Sequence, residues 1–203
     1  MKDKENKTPL INMDLTYEME VRDKDNNLIA FQRKQSRSLL KNFLRAIRGL
    51  MYGTAQYNGE SLVDTSGITR TYPYISAVAQ EIFCTNSPIT NANYGIIVGT
   101  GVTVVNRDQY ALAAKIAHGN GSGQLMYGAS TLEACDGTPP DTQFRIIRTF
   151  TNDYSGAITV NEIGLAFYQL YGPYYFLIAR DLATQLVPIG ATLTVRYILK
   201  VTA

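Results

Sequence analysis

Few residues in this sequence could carry acid–base or metal chemistry. The chain of 203 residues contains one histidine, His118, and no tryptophan. A metal site with an imidazole ligand, or a nucleophile activated by histidine, would therefore have to use His118. It lies in the glycine-rich stretch 117–123, which predicts a flexible loop, whereas catalytic groups must be held rigidly. We therefore interpret His118 as a solvated loop residue and predict that the protein is not an enzyme.

Glu162 is the carboxylate that the pattern brings closest to the interior. Residues 144–168 predict a β-hairpin whose two strands are joined by the polar turn 152–156. The apolar positions of the second strand change parity near 161–164, which predicts a β-bulge. A buried carboxylate there needs a cation. We predict a structural ion pair, with candidate partners Arg145, Arg148, Arg180 and Arg196.

No catalytic residue, cofactor site or metal site is predicted elsewhere. Gly99-Thr100-Gly101 ends an apolar strand, but a dinucleotide-binding loop needs a third glycine, and Val104 occupies that position. We interpret this stretch as a sharp turn at the end of the strand. Cys84 and Cys135 are far apart in sequence, and we interpret them as buried thiols that no disulfide joins.

Tyrosines cluster around Gly172-Pro173, and they are candidates for binding. The cluster comprises Tyr168, Tyr171, Tyr174 and Tyr175. Exposed tyrosines serve both protein interfaces and carbohydrate sites, and a tyrosine loop can also simply pack on its own sheet. All three interpretations remain open, and Tyr171 and Tyr174 are retained as candidate interface residues.

The elements that must position these residues are mostly strands. Residues 13–21 alternate between apolar and polar side chains, and 28–32 return after a turn, which predicts an N-terminal β-hairpin. Residues 57–71 predict a loop, and 106–116 a short helix or turn. Further strands are expected at 94–101, 124–134, 144–168, 176–180 and 193–201. The fold class is therefore mainly β: an antiparallel β-sandwich or barrel-like domain with one amphipathic helix.

The single strong helix follows the hairpin and has one apolar and one basic face. Ser36 or Ser38 is its expected N-cap, and Gly53 suits its C-terminal end. The stretch 26–59 contains no acidic residue, although the whole chain has a net charge of only +2. The basic face is either solvated or contacts nucleic acid or an acidic neighbouring chain. Its candidate interface residues are Arg37, Lys41, Arg45 and Arg48.

The chain divides into a flexible arm at 1–12, the hairpin plus helix at 13–53, and a β-sandwich domain at 54–203. The first residues lack the apolar core of a signal peptide, which predicts synthesis in the cytoplasm. No apolar run approaches the roughly 20 residues that a membrane span needs, so no membrane partner is expected.

Four segments, in this order, resemble segments of small structural proteins of tailed bacteriophages, which occur among tail, neck and fibre-associated genes. They are SRSLLKNFLRAIRGLMYG, GIIVGTGVTVVNRDQYALAAKI, FRIIRTFTN with ITVNEIGLAF, and FLIARD with VPIGATLTVRYILKVT. The resemblance covers most of residues 13–202. It implies a virion component without catalysis, present in several copies in a ring or trimer.

From this resemblance we expect a tail, neck or fibre-attachment component that assembles with copies of itself and with other virion proteins. The alternatives are a capsid-decorating or head-fibre protein, and a carbohydrate- or receptor-binding module of the virion. No cofactor is expected, and contact with nucleic acid through the basic helix remains open.

Overall fold

The computed structural model describes residues 12–52, 60–72, 83–137, 141–169 and 173–202. The predicted arm falls outside these ranges except for Asn12. The described elements are β1 (Asn12–Arg22), β2 (Leu28–Gln35), α1 (Lys41–Tyr52), β3 (Glu60–Val63), β4 (Thr69–Tyr72), β5 (Gly95–Gly99), β6 (Met126–Leu132), β7 (Asp141–Thr151), β8 (Ile158–Gln169), β9 (Tyr174–Val187) and β10 (Thr192–Thr202).

These strands form an open, sandwich-like pair of antiparallel sheets. The larger sheet has five strands in the order β2-β1-β10-β7-β6, and the smaller has three in the order β5-β8-β9. Strands β3 and β4 form a separate hairpin. The predicted mainly β fold, with an N-terminal hairpin (β1–β2) and a single helix, is therefore confirmed. Because β1 pairs along its whole length with β10, the N-terminal hairpin belongs to the same sheet as the C-terminal strand.

The core lies between the two sheets, as the period of two along the strands requires. Tyr17, Met19 and Val21 of β1 point inward and pack into one cluster with alternate residues of β10. The facing sheet contributes apolar residues such as Phe167 and Phe176, which are fully buried. Burial of this apolar area is the main favourable term in the stability of the sandwich.

The hairpin predicted over residues 144–168 is wrong in its pairing, although both strands exist. β7 pairs with β10 and β6, whereas β8 pairs with β5 and β9, so the connection at 152–157 crosses from one sheet to the other. Asn152 anchors this crossing. Its buried amide nitrogen donates to the carbonyl oxygens of Gly156 and Val187, each at 2.9 Å. The predicted bulge is present, as a register shift between Val160 and Glu162.

Two connecting segments also differ from expectation. The predicted loop at 57–71 contains β3 and most of β4. Residues 106–116 form no helix; they make a turn and then run beside β5. The backbone nitrogen of Ile116 donates to the oxygen of Val98 at 2.9 Å, and that of Thr100 donates to the oxygen of Ala114 at 2.8 Å. Backbone pairing with a sheet edge thus replaced the intrahelical bonds that a helix would have made.

Candidate functional site

Glu162 and Arg180 form a buried ion pair between β8 and β9. Nε of Arg180 lies 2.6 Å from Oε2 of Glu162, and neither side chain is exposed to solvent. The register shift beside Glu162 places both side chains on the face of the smaller sheet that points away from the core. Arg180, one of the four arginines predicted as candidate partners, is therefore the one that pairs with Glu162.

The same carboxylate holds a long loop onto the sheet. Its oxygens accept backbone hydrogen bonds from Gly101 at 3.1 Å, Ala113 at 3.0 Å and Ala114 at 2.7 Å. Arg180 also donates from Nη1 to the side-chain oxygen of Gln109, in the middle of the loop, at 2.9 Å. One ion pair therefore fixes both ends and the centre of residues 101–114.

The glycines of Gly99-Thr100-Gly101 make room for this carboxylate. A Cβ atom on Gly99 would lie 2.5 Å from Oε1 of Glu162, and one on Gly101 would also clash with that oxygen. These glycines are needed for close approach of the backbone to a side chain. The predicted turn at this strand end is present, and the structure adds the reason for its glycines.

A second buried carboxylate, Asp181, ties the segment before the helix to β9. Its oxygens accept hydrogen bonds from the hydroxyls of Ser36 at 2.8 Å, Ser38 at 2.7 Å and Tyr197 at 3.0 Å. Burial raises the pKa of Tyr197 well above its ordinary value, and the charge of Asp181 raises it further. The prediction that Ser36 or Ser38 caps the helix is therefore wrong, because α1 begins at Lys41 and both hydroxyls serve Asp181.

Arg148 is buried between the sheets and is satisfied by backbone carbonyls. Its guanidinium donates to the oxygens of Gly128, Tyr94, Ile96, Pro88 and Asn91. Burial lowers the pKa of Arg148 to about 10, against the opposing influence of nearby tyrosine hydroxyls. This side chain joins β6, β5 and the loop before β5 into one unit.

The four basic residues of the helix region have different environments. Nζ of Lys41 lies 3.2 Å from Oδ1 of Asp108 in the covering loop. Nη1 of Arg45 donates to the backbone oxygen of Ser61 at 2.6 Å. Arg37 and Arg48 are exposed. At least two of the four cations therefore contact acceptors within the chain itself.

The described tyrosines of the predicted cluster pack within the chain. The rings of Tyr168 and Tyr175 lie 5.2 and 5.9 Å from that of Tyr94, centroid to centroid. The guanidinium carbon of Arg70 lies 4.1 Å above the ring of Tyr174, which is half-buried. Tyr171 lies outside the described residues. The geometry thus favours the packing interpretation for the three tyrosines that are described.

His118 is not the solvated residue that the sequence predicts. It is half-buried, and its Nδ1 accepts a hydrogen bond from the backbone nitrogen of Tyr127 at 3.0 Å. No disulfide joins Cys84 and Cys135, but the prediction that both are buried is wrong, because Cys84 is partly exposed and Cys135 is exposed. Among the described residues, no three side chains of His, Cys, Asp or Glu come together as a metal site would require.

Two features of the surface and interior were missed by sequence reasoning. One is an apolar cavity of 170 Å³ at one end of the sandwich, lined by residues that include Leu15, Leu39, Phe43, Phe83, Phe144 and Leu199. The other is the exposed apolar edge of the larger sheet, where Leu28, Ile29 and Phe31 of β2 are 56%, 49% and 54% exposed. The sequence did contain a signal for this edge. Residues 28–31 are all apolar, whereas a strand with one face in solvent would alternate between apolar and polar side chains.

Comparison with protein-family models, with curated proteins and with solved structures finds no match to this chain. In the part of the chain that the structure describes, no helix has the length and apolar character of a membrane span. The functional interpretation therefore depends on the geometry and on the sequence resemblance alone.

Proposed function

We propose that this protein is a structural subunit of a bacteriophage virion, present in several copies, that serves in the tail, neck or fibre-attachment region. Its partners are copies of itself and other virion proteins. It is synthesised in the host cytoplasm and assembled into the particle. The proposal assigns no reaction and no cofactor to the chain.

The observation that carries the proposal is the exposed apolar edge of the larger sheet. An edge strand offers unpaired backbone donors and acceptors, and monomeric proteins usually protect such edges with charges, prolines or covering segments. Here three large apolar side chains, Leu28, Ile29 and Phe31, lie on that edge and are about half exposed. Contiguous exposed apolar area of this kind marks protein–protein contact.

The buried charges support the same interpretation. Glu162 with Arg180, Asp181 with Ser36 and Ser38, and Arg148 with its carbonyls each join separate segments of the chain. Their hydrogen-bonding capacity is used largely to hold loops and strands in place. Such interactions suit a rigid building block that keeps its surface shape when copies assemble.

The alternatives within the virion are less well supported. A carbohydrate-binding role needs exposed aromatic rings, and the described tyrosines near residue 172 instead pack on one another or beneath Arg70. A role on the head rather than the tail, as a capsid-decorating or head-fibre protein, uses the same kind of assembly contact. The location within the particle therefore has to be measured.

Density-gradient purification of particles from cells that express the gene at its native locus tests the proposal. We expect mass spectrometry to find the chain in the particles at a fixed ratio to the other virion proteins. Gold-labelled antibodies should then mark the tail, neck or fibre attachment. Absence of the chain from infectious particles, with the chain present in the lysate, would refute a virion role; label on the head would move the role to the capsid.

A further inference from the structure

We propose that protonation of His118 releases residues 118–124 from β6, so that this part of the surface changes shape between neutral and mildly acidic pH. The stretch lies between the segment that runs beside β5 and the start of β6. The inference is independent of the proposed function, because it depends only on the contacts of one imidazole ring.

The hydrogen bond between His118 and β6 fixes the protonation state of the ring. Nδ1 of His118 lies 3.0 Å from the backbone nitrogen of Tyr127. A backbone N–H can only donate, so Nδ1 accepts and carries no proton. Neutral imidazole has one donor and one acceptor nitrogen, whereas both nitrogens of imidazolium are donors. The bond therefore exists only while the ring is neutral.

The described surroundings supply no negative charge that would hold the ring in place once it is protonated. Residues 117–125 include no other ionisable side chain, and no described carboxylate forms an ion pair with His118. The neighbouring segments carry Lys115 and Arg148, and the guanidinium carbon of Arg148 lies 4.8 Å from the ring centre of Tyr127. Both are cations, so they oppose a further positive charge. Burial raises the pKa of the Tyr127 hydroxyl above its usual value, so this group stays uncharged.

Protonation would place two donors against each other at a buried position. Tyr127 is 1% exposed, so water cannot replace the lost acceptor while the ring stays where it is. A buried N–H group without an acceptor is unfavourable. The conflict is relieved when the ring and the residues that follow it move away from β6 and water reaches the amide.

Contacts on either side of the stretch confine this movement. The backbone nitrogen of Ile116 donates to β5 at 2.9 Å. The hydroxyl of Tyr127 donates to the backbone oxygen of Ile116 at 2.7 Å, and Leu125 is fully buried. Within the stretch, the backbone nitrogen of Gly119 donates to the oxygen of Leu125 at 3.1 Å. Protonation should therefore open residues 118–124 locally and leave the sandwich intact.

Amide hydrogen exchange of the isotope-labelled full chain tests the switch at about pH 7.5 and about pH 5, on either side of the range in which imidazoles titrate. After correction for the intrinsic exchange rate, protection of the Tyr127 amide should fall at least about fivefold at the lower pH. The Leu40 amide, which donates to β9, should keep its protection. No fall at Tyr127, or an equal fall at both amides, would overturn the switch.

His118→Asn is the matched control. The side-chain oxygen of asparagine lies at the same position along the side chain as Nδ1 of histidine, and it accepts a hydrogen bond without titrating. In this variant, the Tyr127 amide should be as protected at the lower pH as at the higher one. The same fall in the variant as in the wild type would show that another group is responsible, and it would overturn the assignment to His118.

The ring nitrogens of the wild type give a second measurement, which needs no variant. Their nuclear magnetic resonance signals should show the proton on Nε2 of His118 at neutral pH. As the pH falls, protonation of the ring and loss of protection at Tyr127 should have the same midpoint. A proton on Nδ1 at neutral pH, or two clearly different midpoints, would overturn the inference.

Discussion

At the level of single residues, buried charges explain how an irregular loop becomes part of a rigid surface. Glu162 binds Arg180 and three backbone N–H groups of the covering loop. The change of parity among the apolar residues of β8 was enough to predict a bulge at Glu162, and burial of its carboxylate there was enough to predict an ion pair. It could not select Arg180 from four arginines, because the choice depends on which strands are neighbours in the sheet.

Glu162→Gln should lower the free energy of unfolding by about 3–5 kcal/mol, because it leaves the buried Arg180 cation without a counter-charge. Urea denaturation measures the change. The matched control is Glu133→Gln, which removes one partner of a half-exposed ion pair with Arg145 and should cost about 0–1 kcal/mol. Equal effects of the two substitutions would show that the buried pair does not hold the fold.

Asp64 makes a pH-dependent contribution to stability. Burial alone would raise its pKa, but hydrogen bonds from Arg70 and from the backbone of Ile68 and Ser66 outweigh it, and the pKa is lowered. A carboxyl whose folded pKa lies below its unfolded value stabilises above the unfolded value, about 3.9, and loses this contribution as the pH falls through the folded pKa.

Asp64→Asn should therefore be less stable than the wild type at neutral pH, and the difference should shrink as the pH falls below about 4. Urea denaturation at a series of pH values measures this difference. The prediction fails if the gap between the two proteins is the same at neutral and acidic pH, since the lost contacts would then not involve the charged carboxylate.

At the level of elements, the sequence predicted which residues form strands more successfully than how the strands pair. Alternation identified β1, β8 and β10 because side chains with a period of two reveal a half-buried strand. It could not show that β7 and β8 belong to different sheets. The turn residues 152–156 fit a tight hairpin, but the side chain of Asn152 instead bonds to carbonyls across the sandwich.

The helix start illustrates the same limit. Serines before an amphipathic run are the usual signal of an N-cap, yet Ser36 and Ser38 turn toward a carboxylate on β9 that is more than 140 residues away in sequence. The sequence around the serines contains no signal of an acceptor that lies so far away along the chain. The segment that carries these serines also bonds to β9 through its backbone, from Leu40 to Ile178 and from Arg180 to Ser38.

Ser38→Ala should lower the free energy of unfolding by about 1–3 kcal/mol, because it leaves an oxygen of the buried Asp181 unsatisfied. Amide hydrogen exchange at Leu40 and Arg180 should accelerate, since these amides join the segment to β9. Ser122→Ala, on an exposed loop, serves as the control and should leave both amides unchanged. Unchanged protection in Ser38→Ala would mean that Asp181 does not hold this segment.

At the level of the whole molecule, the sandwich has an apolar core with one cavity of 170 Å³ and an edge strand whose residues 28–31 expose apolar side chains. The sequence predicted the fold class, but not this edge, because exposure depends on whether another strand follows β2 in the sheet. The basic helix region, whose four cations are candidate interface residues, uses Lys41 and Arg45 partly for contacts within the chain. We therefore propose β2, rather than the helix, as the surface to test for contact between copies.

Self-association through β2 is measured most directly by sedimentation velocity of the full chain over a range of concentrations. The wild type should form a concentration-dependent oligomer. Phe31→Lys should weaken its association more than about tenfold, because a lysine on an edge strand opposes pairing with another chain. Ile68→Lys changes a side chain of similar exposure, 49% against 54%, and should associate like the wild type. A wild type that remains monomeric at every concentration, or a Phe31→Lys variant that associates as strongly as Ile68→Lys, would contradict assembly through this edge.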